Sequence, residues 1–239
     1  MWVIRRVILR SAKRDEGPRS FAWRTCGAQL RMTLGVLLGA SCLLPAVVSA
    51  DSVADLCRAG AGLYAKGNLP GAAAKFRQAL AQDPRSDQAH VGLGVVLYAQ
   101  QQTTDAILHF RTAIGLNPRN ASAYVNLGSA LVDQDRLTEA VQVCRTALRL
   151  NPNSAGAHYN LGRTYARQKQ TKSALTEYNA ALRLNPSLAT AWLSLGTLHA
   201  NVTKNHVEAV RCFRRYLQLV PNPPDCTCWI KAYLDRYGK

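Results

Sequence analysis

Acidic residues are scarce in this chain of 239 residues: 14 Asp and Glu stand against 30 Lys and Arg, a formal charge of +16. Charge of either sign is sparse too, at 18%, and aromatics make up only 7%. So little charge beside 48% apolar residues excludes a mostly disordered chain, which needs the opposite balance. So few aromatics leave a core of Ala, Leu and Val, and this favours close-packed helices over a β-sandwich. Chemical motifs are missing as well. There is no Gly-rich phosphate loop, no G-x-S-x-G and no H-E-x-x-H. Cys226-Thr227-Cys228 offers two thiols, too few for a tetrahedral metal site. Nothing in the sequence calls for a cofactor or a metal, and the chain is read as a non-enzyme.

The basic balance is uneven along the chain, and the excess outlasts any loss of the N-terminus. Residues 1–50 hold eight basic and two acidic residues, and 22 basic and 12 acidic residues remain from position 51 onward. The excess permits anionic partners, or it is simply a basic surface. Met32 to Ala50 is uncharged, follows Arg24 and Arg31, and exits through Val48-Ser49-Ala50. A charged start, an apolar middle and a small-residue exit are what a secretory signal needs, so cleavage after Ala50 and export to the periplasm or outside the cell are expected. The alternative is membrane association through residues 32–50 as an uncleaved anchor, since 19 uncharged residues approach the ~20 needed to span a bilayer. Gly35, Gly39, Ser41 and Pro45 dilute that run.

Beyond residue 53 the chain repeats itself. Gly60, Gly94, Gly128, Gly162 and Gly196 are 34 apart. Ala72, Ala106, Ala140, Ala174 and Ala209 form a second register, and Pro84, Pro118, Pro152, Pro186 and Pro221 a third. The units run 53–86, 87–120, 121–154, 155–188 and 189–223. Each reads as two helices. In unit three, Tyr124, Leu127 and Leu131 share one helical face, and Ala140, Cys144, Ala147 and Leu148 share another. Asp133-Gln134-Asp135-Arg136 makes the turn between them, and Pro152 stops the second helix. Gly128 and Ala140 let the two helices approach, while Phe76, Phe110, Cys144, Tyr178 and Phe213 fill one equivalent gap. Unit five carries one extra residue near Asn201–His206. His90 and His158 take the place of Tyr124 and Trp192, so they read as packing residues. Ile230 and Leu234 hold helical spacing within 225–237, which reads as a helix capping the last apolar face.

Trp192-x2-Leu195-Gly196, Leu161-Gly162-x2-Tyr165 and Ala106-x3-Phe110 resemble the motif of the tetratricopeptide repeat (TPR) family, whose period is 34 residues. The resemblance covers 53–223. It implies an all-α, right-handed α-solenoid of five helix-turn-helix repeats with a C-terminal capping helix. It also implies a groove lined by the first helices that binds a protein or peptide partner. Asn126, Asn160 and Ser194 would occupy one row of that groove, Ser129, Arg163 and Thr197 a second, and Asp133 and Arg167 lie near the helix ends. The Asn amides would pair with a ligand backbone. Chaperone-binding members need a Lys and an Asn where this chain has Cys57 and Ala61, which argues against that subtype. A nucleic-acid partner is disfavoured, because base-reading repeats need a regular side-chain code and this groove varies from unit to unit. Without the leader five cysteines remain, an odd number. Cys212 with Cys226 or Cys228 could tie the cap to unit five; the other reading is reduced, buried thiols.

Overall fold

The computed structural model describes residues 51–222 and 229–238. The leader therefore lies outside the described residues, as do Cys226 and Cys228. Ten helices pair into five units: α1 Val53–Ala65 with α2 Leu69–Gln82, α3 Asp87–Ala99 with α4 Thr103–Leu116, α5 Ala121–Asp133 with α6 Leu137–Leu150, α7 Ala155–Arg167 with α8 Thr171–Leu184, and α9 Ala189–Leu198 with α10 His206–Leu219. An eleventh, α11, runs Trp229–Tyr237. The fold is an all-α, right-handed solenoid.

Local chemistry marks the start and the end of the first four units. Ser52, Ser86, Asn120 and Ser154 cap α1, α3, α5 and α7, each accepting from the N–H three residues on. Such caps are typically worth ~1 kcal/mol each. The second helices end in a side-chain turn. Asp83, Asn117, Asn151 and Asn185 accept from the N–H two residues on, across the proline that forbids another helical turn. Between the helices of a unit the chain passes through one left-handed residue: Gly67 (φ 76°), Gln101 (65°), Asp135 (58°), Lys169 (60°) or Lys204 (54°). In the first four units a backbone bond closes each turn over five residues, as from Gln102 N–H to Leu97 O at 2.9 Å and from Gln170 N–H to Tyr165 O at 2.8 Å. In unit five the same closure spans six, from Asn205 N–H to His199 O at 3.1 Å. The extra residue widens the last turn of α9 into a π-helical segment, His199–Thr203.

Packing follows from glycine against a large side chain. A Cβ on Gly94 would lie 2.6 Å from the Phe110 ring, on Gly162 2.7 Å from Tyr178, and on Gly196 2.6 Å from Phe213. In unit three the neighbour is Cys144 Sγ, at 2.6 Å. The repeat alanines Ala72, Ala106, Ala140, Ala174 and Ala209 are fully buried. Each second helix packs on the first helix of the next unit, and first helices also pack on one another along the array. Second helices do not approach one another in this way. Crowding on one side and spreading on the other curves the solenoid toward its first helices, which line the concave face. At the far end Ile230 of α11 is fully buried, and Trp229 and Tyr233 meet the Phe213 ring edge-on at 5.1 and 5.2 Å. Tyr233 is half-buried, while Trp229 stays 40% exposed.

Candidate protein-binding groove

Asn126 and Asn160 stand in the same place in consecutive units, and the structure gives them different surroundings. Asn126 is half-buried on the concave face. It lines a depression of about 220 Å³ with Val125, Ser122, Asn151 and Ser154. Asn160 is only 4% exposed, and its Nδ2 donates to Val125 O at 2.9 Å. The expectation that both amides face a ligand is thus corrected: the Asn160 amide satisfies a backbone carbonyl of the preceding unit. The Asn160 backbone carbonyl accepts from the buried Thr164 hydroxyl at 2.7 Å.

The charged groove residues are likewise joined across units. Asp133 accepts from Arg163 Nη2 at 2.5 Å and from the Tyr98 hydroxyl. Tyr98 also lies 3.2 Å from Ser129 Oγ. Burial of the Arg163 guanidinium would lower its pKa, but the bond to Asp133 and the Tyr159 and Tyr98 phenols hold it above its ordinary value. Burial, and then the Asp133 carboxylate, raise Tyr98. Arg163 also sits 5.8 Å over the Tyr159 ring, a cation–π distance. Arg167 donates to Val132 O at 2.5 Å and lies 3.6 Å from Asp135, with its side chain 47% exposed. Ser194 is 3.5 Å from the Tyr159 hydroxyl. Thr197 bonds only within its own helix, to Leu193 O at 2.8 Å. The structure therefore brings Ser129, Asp133, Arg163, Arg167 and Asn160 into one polar seam from unit two to unit four, which Tyr159 and Ser194 carry on to unit five. Asn126 and the outer part of Arg167 remain turned to the open face.

Tyr98 and Tyr159 are the members that sequence reasoning missed. The signal was an offset of 35, one repeat plus one residue. It joins Tyr98 to Asp133, Tyr159 to Ser194, Val125 to Asn160 and Val132 to Arg167. The histidines do more than pack. The Nε2–H of His90 donates to Pro84 O at 3.2 Å, that of His158 to Pro152 O at 3.3 Å, and Trp192 Nε1–H does the same to Pro186 O at 2.9 Å. These rings pack, and they also satisfy the proline carbonyl of the turn six residues back. The other His90 nitrogen meets His109 Nδ1 at 2.9 Å, and that of His158 meets Glu177 at 2.6 Å. Burial, and then the His90 charge, lower the His109 pKa.

A tetratricopeptide repeat model matches residues 57–115 and 96–155, and a second matches 131–198. The chain belongs to the tetratricopeptide repeat family. No curated protein matches it. Among solved structures, TTC0263 of Thermus thermophilus, described as a thermophilic TPR protein, is 24% identical with a TM-score of 0.67, over 77% of this chain and 99% of that one. PilF of Pseudomonas aeruginosa is 25% identical with a TM-score of 0.64, over 78% and 88%. YrrB, described as a TPR protein with an unusual peptide-binding site, is 20% identical with a TM-score of 0.54, over 78% and 93%. Members of this repeat family serve as protein-interaction scaffolds. Among the described residues there is no group of His, Cys, Asp and Glu able to hold a metal, and no helix long and apolar enough to cross a membrane.

Proposed function

We propose that the chain is a non-catalytic adaptor that holds an extended segment or a helix of a partner protein against its concave face, centred on Asn126 and Arg167. The observation that carries this reading is the contrast between the two asparagines. Asn160 is buried within the array, while Asn126 keeps its amide at an open depression flanked by further polar groups. An amide there offers donors and an acceptor to a peptide backbone. Arg167 adds charge for an acidic side chain or terminus on the partner. YrrB shares the fold and is described as having a peptide-binding site; at 20% identity the site proposed here rests on this chain's own residues.

The test begins with cross-linking in the native host and mass spectrometry to obtain the partner. Asn126→Ala should weaken its binding about 3- to 10-fold, the share of one neutral hydrogen bond, with unchanged helicity by circular dichroism. Arg167→Ala should weaken an acidic partner more, since bonds to charged groups are worth about 1.5–3 kcal/mol. Asn160→Ala should instead lower the urea midpoint, by about 0.5–1.5 kcal/mol in stability, because it removes a buried hydrogen bond between units. Unchanged affinity in the Asn126→Ala/Arg167→Ala double variant would move the site off this face.

The same proposal places the mature chain outside the cytoplasm. The support is the order of Arg24 and Arg31, the uncharged run 32–50 and its small-residue exit at Ala50. N-terminal sequencing of native protein should begin at Asp51. Recovery of 32–50 intact in the membrane fraction would favour the anchored form.

A further inference from the structure

Basic charge is in clear excess over the C-terminal end of the array. From Arg183 to Gly238 the described residues hold seven basic side chains and two acidic ones, whereas the much longer stretch 51–182 holds 14 and nine. Arg211, Arg214 and Arg215 fall three and four apart on α10, so they share a face. Their partners leave most of that charge in place. Arg214 donates to Gly238 O at 2.6 Å and Arg215 to Gln218 at 3.0 Å, both neutral groups. Arg211 meets Glu208 at 3.4 Å with its side chain 69% exposed. Like charges at this spacing repel, so the arrangement is costly unless an anion joins it.

The same face of α10 bounds an open cleft of about 540 Å³, closed at one end by Tyr237. Its floor is apolar: Val210 is buried, Trp192 lies alongside, and Val207 at the rim is 78% exposed. The cleft runs along the second helix α10 and takes only Trp192 from a first helix; none of its lining belongs to the polar seam. We propose that it is a second docking site on the outer face of unit five, which takes an acidic protein segment. An aliphatic or aromatic side chain of that segment seats against Val207, Val210 and Trp192, and neighbouring carboxylates meet Arg211 and Arg215.

Charge complementarity selects this occupant. Residues 1–50 are themselves basic, and a second copy would bring the same positive excess. A bilayer is flat, and its headgroups do not enter a recess with an apolar floor. Single-stranded nucleic acid binds through phosphates and stacked bases, and has no aliphatic group to seat on the exposed Val207. The site is independent of the concave groove, so either can fail alone.

The experiment uses the full chain and a fluorescently labelled synthetic peptide in which glutamates flank a central pair of leucines. Fluorescence polarisation should show salt-sensitive binding. Arg211→Glu/Arg215→Glu should weaken it at least about tenfold, as should Val207→Asp. Arg85→Glu/Arg119→Glu makes the same change in net charge on exposed turns and should leave affinity within about twofold, because distant surface charges are screened. Asn126→Ala should leave it unchanged. Absence of peptide binding overturns the proposal, and so does equal loss in the Arg85/Arg119 variant. It is also overturned if phosphatidylglycerol vesicles or a single-stranded oligonucleotide, and not the peptide, lose binding in the Arg211/Arg215 variant.

Discussion

Gly128 and Gly162 occupy the same place in neighbouring units, yet a methyl group added to each would meet something different. At Gly162 it would press on the Tyr178 ring, which is buried and has no room to retreat. At Gly128 it would meet a single sulfur at the end of a short side chain. Gly162→Ala should therefore cost about 1–3 kcal/mol of overpacking, and Gly128→Ala less. The Cys144→Ala background should remove the Gly128→Ala penalty altogether, since the next atom, Val143 Cγ1, is 3.9 Å away. A double-mutant cycle by urea denaturation reads this as a coupling energy, and strict additivity would refute the contact. The glycine-to-large pairing was legible in the sequence because both members recur with the repeat. The polar seam was not. Its members differ from unit to unit, so Tyr98 faces Asp133 while the matching pair in the next units is Val132 with Arg167. Only the 35-residue offset is constant, and an offset tells which residues meet without telling which of them bond.

The unit boundaries were legible because they carry their own chemistry: in units one to four a capping Ser or Asn stands before the first helix and an Asp-Pro or Asn-Pro step follows the second. The turns inside each unit were less so. Four of the five place a residue with a Cβ in the left-handed region, where only Gly67 sits without strain. Lys169 is exposed, so its replacement removes no packing. Lys169→Gly should raise stability by about 0.5–1 kcal/mol, the balance of relieved strain against the added freedom of the unfolded chain. The sign is checked by a higher urea midpoint at unchanged slope. A lower midpoint would mean that the left-handed turn costs this chain nothing. The extra residue of unit five was visible as a 35-residue step, and its placement was shifted: it is taken up in the π-helical segment His199–Thr203, at the front of the expected stretch.

For the whole array, stability belongs to neighbouring contacts rather than to any one centre, so the ends open before the middle. Three buried thiols report on this. Burial raises Cys57 in unit one, and it pushes Cys144 and Cys212 up to about 12, so each stays protonated and unreactive until its surroundings open. Under native conditions at neutral pH, iodoacetamide followed by peptide mass spectrometry should label Cys57 well before Cys144, which is fully buried in unit three. Equal rates would show a single all-or-none opening instead. The ties between units two and five run along the inner edge of the curve, like stitches on the inside of a coiled spring. They set the pitch of those coils before any partner arrives. A guest laid along the inside therefore meets a ready-made ruler, and stretching the coil means cutting its stitches one at a time.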